Sequence, residues 1–165
     1  MRQPANSDFR RGIYMQKLKL RSEQMNTRRR VRETSPSFYR DNPAQTHRLV
    51  PWLNRELNAL LQGHGEQVAF VLDLIVGLIK RHAIDSEEFY QHVYPFVGRN
   101  TRKFMKEFLA FARSPYHMTA YDRHVSYEPD DQPNHDSGSD SDHQRGKFQT
   151  FVCFNCYNIY GKLPC

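Results

Sequence analysis

The sequence predicts an all-α fold, a small bundle of about four helices, on three observations. Apolar residues recur at helical spacing in four successive segments between positions 49 and 112. The stretches between them are short and hold Gly, Asp, Ser and Asn, the residues that stop and start helices. One segment, "VAFVLDLIVGLI" at 68–79, is apolar on nearly every side, as a helix enclosed by others must be.

Each element follows in order. Residues 7–27 predict a basic helix with Phe9, Ile13, Gln16 and Leu20 roughly on one stripe, weakened by Gly12. "RRRVR" at 28–32 is a cationic cluster, and "ETSPS" after it is turn-rich. The compact part is expected to begin near Ser35, and Asn42-Pro43 breaks the chain because the residue before proline is pushed out of the helical region. Leu49, Leu53, Leu57 and Leu60 or Leu61 then share one face. Pro51 is tolerated in the first turn, where its missing N–H had no helical partner. Trp52 falls one position round from Leu53, at the edge of that face. It is expected to pack there, with its indole N–H free to hydrogen-bond, rather than to serve as a ligand platform.

"GHG" at 63–65 stops this helix, and the helix from Glu66 to about His82 is placed at the centre, with Phe70 and Leu74 in the core. "DSEE" at 85–88 offers Asp85 or Ser86 as N-cap for a helix carrying Phe89, Val93 and Phe96 or Val97. Asn100 or Thr101 starts the next, in which Phe104, Phe108 and Phe111 lie beside Met105, Leu109 and Ala112. Ser114-Pro115 ends it and can cap a short helix through Met118 and Tyr121. The expected division is a basic arm at 1–34, a helical domain at 35–127, an acidic disordered linker at 128–146 and a Cys/aromatic tail at 147–165.

Charge bears on function more than composition does. The net charge of +6 is uneven: residues 1–50 carry +8, residues 51–125 carry +1, residues 126–146 carry −5 and the rest +2. A basic arm beside a neutral domain is the electrostatic footprint of an anionic partner such as nucleic acid; a solvated tail without a partner has the same composition. Arg28, Arg29, Arg30, Arg32, Arg40 and Arg48 are the candidate contacts, since guanidinium groups suit phosphate. The cluster at 28–32 serves equally as a nuclear-import signal. No segment has the length to span a membrane, the N-terminus lacks the apolar region of a secretory signal, and a soluble intracellular protein is expected.

No catalytic residue is predicted. Glu87/Glu88 fit a helix start, Asp130/Asp131 fit a solvated linker, and no phosphate loop or nucleophile pattern occurs. The histidines show no HxxxH or HExxH spacing, and no cofactor is expected. Cys153 and Cys156 have the spacing of half a zinc site, which Cys165 and His143 would have to complete; the expectation is no metal.

The strings "NPAQTHRLVPWLNRELNALLQGHG" and "EFLAFARSPYHMTAYDRHVSY", with "FRRGIY" upstream, resemble the Topors family, topoisomerase I-binding, arginine/serine-rich proteins. The resemblance runs from about Phe9 to Tyr127. It implies a PWI-like helical bundle that follows a RING finger, with Leu53 in place of the third motif residue. The motif positions Trp52 and Leu53, with Leu57, Phe70, Leu74, Phe104, Phe108 and Phe111, are the expected core. The family's members are nuclear RING-type ligases for ubiquitin and SUMO that bind DNA and topoisomerase I. A RING needs about eight paired Cys/His ligands. The three cysteines, all within 153–165, do not supply them. The expectation is a RING-less, non-catalytic binding module for nucleic acid or for ubiquitin and SUMO pathway proteins. The alternative is the accessory region of a ligase that acts through a longer isoform or a RING partner. "SGSDSD" at 137–142 fits the family's Ser/acidic stretch, where phosphorylation of Ser139 or Ser141 would deepen the charge.

Overall fold

A computed structural model describes residues 6–16, 18–21, 31–62 and 64–129. The fold is all-α: among the described residues there are seven α-helices, and β structure is limited to one antiparallel pair of three-residue strands. In chain order these are α1 (Ser7–Met15), β1 (Leu18–Leu20), α2 (Pro36–Asp41), α3 (Leu49–Leu60), α4 (Gly65–Leu78), α5 (Glu87–Val97), α6 (Thr101–Arg113), α7 (Met118–His124) and β2 (Tyr127–Pro129). Tight 3-10 turns at Pro43–Arg48 and Gly98–Asn100 lead into α3 and α6.

Local chemistry sets the boundaries. Asn6 caps α1 by accepting from Phe9 N at 2.9 Å, while Ser35 and Ser86 cap α2 and α5, each accepting at 3.2 Å from the N–H three residues on. Of the two candidates at 85–86, Ser86 is therefore the cap. α5 ends at Gly98, whose φ of 63° lies in the region that glycine enters without strain. α3 stops earlier than expected, because Gln62 takes the left-handed conformation at φ 55° before the "GHG" run. Ser114 closes α6 instead of starting α7: its Oγ donates to Phe111 O at 2.8 Å, and α7 begins at Met118.

The core is centred on α3 and α6. Trp52, Leu53, Leu57, Phe104, Phe108 and Phe111 are all buried, and Leu74 joins them from α4. Trp52 lies within this core instead of at its edge, stacked on Phe111 with centroids 5.2 Å apart and on Phe108 at 5.6 Å. Its Nε1 has no acceptor among the described residues. The expected central position of α4 is not observed. Helices α3 and α5 pack on it, and Phe70, Leu72 and Val76 stay half-buried, with Phe70 against Phe96 at 5.6 Å. Its apolarity all round does not put it in the middle: the flank that carries Ala69 and Asp73 is exposed.

The expected boundary at 34/35 also fails to mark a break. α1 packs on α3, and β1 pairs with β2 in the register Leu18–Pro129, Lys19–Glu128 and Leu20–Tyr127. The helix predicted over 7–27 is thus helix only to Met15, then strand at Leu18–Leu20. Glu128 and Pro129, expected at the start of the linker, belong with Tyr127 to the folded unit as β2. Arg28, Arg29, Arg30, Ser139, Ser141, His143, Cys153, Cys156 and Cys165 lie outside the described residues.

Candidate phosphate-binding site

Two of the predicted arginines, Arg32 and Arg48, converge on the turn that follows α6. Arg48 leads into α3 from the 3-10 turn, and its guanidinium reaches across to the C-terminal end of α6. Nη2 donates to Ala112 O at 2.7 Å, Nη1 donates to Tyr116 O at 2.7 Å and to Phe111 O at 3.4 Å, and Cζ lies 4.7 Å from the Phe111 ring centroid. A helix C-terminus leaves its last carbonyls without partners, and Arg48 answers them. Arg32 approaches from the extended segment before α2. Its backbone N–H donates to Arg113 O at 2.8 Å, Nη2 to Pro115 O at 3.4 Å and Nη1 to Gln45 Oε1 at 3.3 Å.

All of these acceptors are neutral. Among the described residues neither Arg32 nor Arg48 forms an ion pair, and Arg32 Nε is buried without an acceptor. Glu33, next to Arg32 in the chain, accepts instead from Ser35 Oγ at 2.6 Å. Burial foremost, and the positive charge of Arg32 after it, push the Arg48 pKa down to about 10. Two half-buried like charges meet at this turn with exposed Arg113 beside them, and guanidinium groups so arranged have the chemistry to receive an anion.

The other candidate, Arg40, is not part of this group. It is exposed at the end of α2 and donates to Lys80 O at 2.8 Å.

A second polar cluster, missed by sequence reasoning, is structural. Arg10 on α1 is buried between α3 and α6, its Nε 2.7 and 2.9 Å from the two Glu56 oxygens and its Nη2 2.8 Å from Glu107 Oε2. Arg10 also donates to Tyr127 Oη, which donates to Glu107 at 2.9 Å; Tyr14 Oη donates to Glu56 at 2.7 Å. Arg55 joins Glu56 at 3.1 Å and pairs with Asp122 on α7. Burial alone would lower the Arg10 pKa, but Glu56 and its neighbours outweigh it and keep the guanidinium charged. Burial raises the Glu107 pKa against the opposing pull of Arg10. A signal existed in the sequence: Glu56 and Glu107 sit on the apolar stripes of Leu53/Leu57 and Phe104/Phe108/Phe111, where an unpaired carboxylate would be costly.

Comparison with known proteins decides the family. Residues 37–114 match the Topors, PWI-like domain family model. The mouse E3 ubiquitin-protein ligase Topors (Mus musculus) is 41% identical over 135 residues, which is 82% of this chain and 13% of that protein. The chain belongs to the Topors family. The human Topors ligase (Homo sapiens) is 39% identical over 135 residues, again 82% of this chain and 13% of its own length. The Drosophila melanogaster protein of that name is 36% identical over 119 residues, 72% of this chain and 12% of its own. The chain therefore spans about an eighth of the length of the curated Topors relatives it matches. No solved structure matches. The matched Topors domain starts at residue 37, so α1, β1 and Arg32 lie outside it; α1 packs on α3, and Arg32 bonds to Gln45 and Arg113 within it.

Proposed function

We propose that this Topors-family chain is a nuclear, non-catalytic binding module whose helical body presents a cationic site to the phosphates of nucleic acid. One observation supports the reading above the others: Arg32 and Arg48 are held together against neutral acceptors only, with Arg113 exposed on the same turn. Paired guanidinium groups engage phosphate oxygens in a forked geometry. Arg28–Arg30, just upstream, extend the same charge along the chain. Contacts of this kind neutralise phosphates and release counterions, without reading base identity.

Titration of the full chain with a labelled duplex at 50 and 200 mM salt tests the reading. Contacts by Arg32, Arg48 and Arg113 predict a slope of about −2 to −3 in log affinity against log salt, steeper if Arg28–Arg30 take part. The variant with Arg32 and Arg113 both changed to Gln should bind several-fold more weakly with a flatter slope. Equal affinity of variant and wild type at both salt concentrations would remove this site from the interface.

The name of the relatives, E3 ubiquitin-protein ligase, favours a second reading, in which the chain is the accessory region of such a ligase and acts through a longer isoform or a RING partner. The 165 residues hold three cysteines, too few for the paired zinc ligands of a RING. A ubiquitination assay with E1 and E2 enzymes is expected to give no product with this chain alone. Ubiquitin chains formed without any added RING protein would overturn the non-catalytic assignment.

A further inference from the structure

We propose that Ser114, in the dipeptide Ser114-Pro115, is a proline-directed phosphorylation site whose phosphate is received in cis by Arg32 and Arg48. The inference rests on the same cationic pair and adds its regulation.

The sequence contains two Ser-Pro dipeptides, Ser35-Pro36 and Ser114-Pro115. The fold brings the chain that carries the first alongside the second, since Arg32 bonds through its backbone to Arg113 and through its side chain to Pro115. Their surroundings differ in sign. Ser35 Oγ faces the Glu33 carboxylate at 2.6 Å and caps α2, so a dianion there would meet a negative charge. Ser114 Oγ donates to Phe111 O, the same oxygen that accepts from Arg48 Nη1. Its hydroxyl is therefore within a short reach of the Arg48 guanidinium. Arg32 meets the same turn, its backbone N–H donating to the carbonyl of Arg113 and its side chain to that of Pro115.

Electrostatics make the pairing specific. A phosphate at the C-terminal end of α6 is opposed by the helix dipole, so it persists there only beside cations. Arg32 and Arg48 are such cations, and the described residues give them no acid. Losing the hydroxyl donor leaves no orphan, because Phe111 O keeps its bonds from Ser114 N at 3.0 Å and from Arg48. Ser114 is already extended, at φ −69° and ψ 150°, and Pro115 is exposed; local opening of the turn between α6 and α7 frees the half-buried hydroxyl. In the transfer, Ser114 Oγ attacks the γ-phosphorus of ATP and the bond to the β-bridging oxygen breaks. ADP leaves with the electron pair, and the hydroxyl proton passes to the kinase base and then to solvent. The phosphate then occupies the cations that a nucleic-acid phosphate would use.

The test treats the full chain with a purified cyclin-dependent kinase and ATP, maps the phosphate by mass spectrometry, and follows it by 31P NMR against pH. The expected result is phosphate on Ser114, absent in Ser114→Ala and retained in Ser35→Ala, with circular dichroism confirming that each variant is folded. Its second ionisation should fall below the ordinary value of about 6 and return toward it in Arg32→Gln. No phosphate on Ser114 of the folded chain, or an ordinary ionisation that Arg32→Gln leaves in place, would overturn the proposal. Duplex binding by the phosphorylated chain should be about tenfold weaker. A depressed ionisation with unchanged duplex binding would uphold the phosphate site in cis and count against the nucleic-acid reading instead.

Discussion

Trp52 has no exposed surface, and its ring lies nearly parallel to Phe111, with 8° between the planes. Burying a tryptophan removes roughly 200 Å² from water, worth about 5 kcal/mol at about 25 cal/mol per Å². The unmet indole N–H subtracts about 1–3 kcal/mol from that. Burial therefore wins, and Trp52→Ala should cost about 3–5 kcal/mol in urea denaturation. Trp52→Phe removes the orphaned donor with part of the area and should cost distinctly less; equal losses for both would show that the ring stack is not what holds α3 to α6. The packing role of this residue was legible from Leu49, Leu53 and Leu57 at helical spacing. Its depth was not, because three phenylalanines from α6, fifty residues on, close over it.

At the scale of the element, α1 and α6 teach different lessons. Arg10 counts as one more positive charge in "FRRGIY", yet Ile13 and Tyr14, three and four residues on, share its inward face. Replacing Arg10 by Met leaves Glu56 and Glu107 buried with too little positive charge, and the expected loss is about 3–5 kcal/mol. A chain lacking residues 1–16 should lose at least as much. Its thermal midpoint compared with that of the full chain gives the answer, and identical midpoints would mean that α1 is dispensable to the bundle. The candidate phosphate-binding site was legible in part. Arginine-rich sequence pointed to Arg32 before the domain and Arg48 within it, but only the end of α6, whose last carbonyls accept from both, brings those two to one turn. Arg40 has the same chemistry and lies elsewhere, because α2 directs it toward Lys80.

For the molecule as a whole, the buried tyrosines set an alkaline limit. Burial foremost raises the pKa of Tyr14, Tyr121 and Tyr127 in the folded chain, with nearby carboxylates adding to it. An unfolded tyrosine ionises near 10, so above that pH unfolding releases protons that the folded state retains. The stability these groups contribute is complete below about pH 10 and is lost as pH rises toward their folded values. Glu107 acts with the same sign at acid pH: its raised pKa stabilises the fold below the ordinary glutamate value, a contribution lost as pH rises through the folded value. Urea midpoints at pH 8 and 11 should therefore differ, with the lower at pH 11 and the gap narrowed in Tyr14→Phe. Identical midpoints at the two pH values would contradict the burial of these phenols.

The sequence by itself determined the helical class, the main helix starts and the face each helix turns inward, because spacing, caps and breakers act over a few residues. Only the tertiary structure decided that α1 belongs to the bundle, that α4 lies at its flank, and that Arg32 and Arg48 share one turn. Those outcomes depend on which surfaces meet across long separations in the chain, where charge pairing and burial are set by the neighbour and not by the residue.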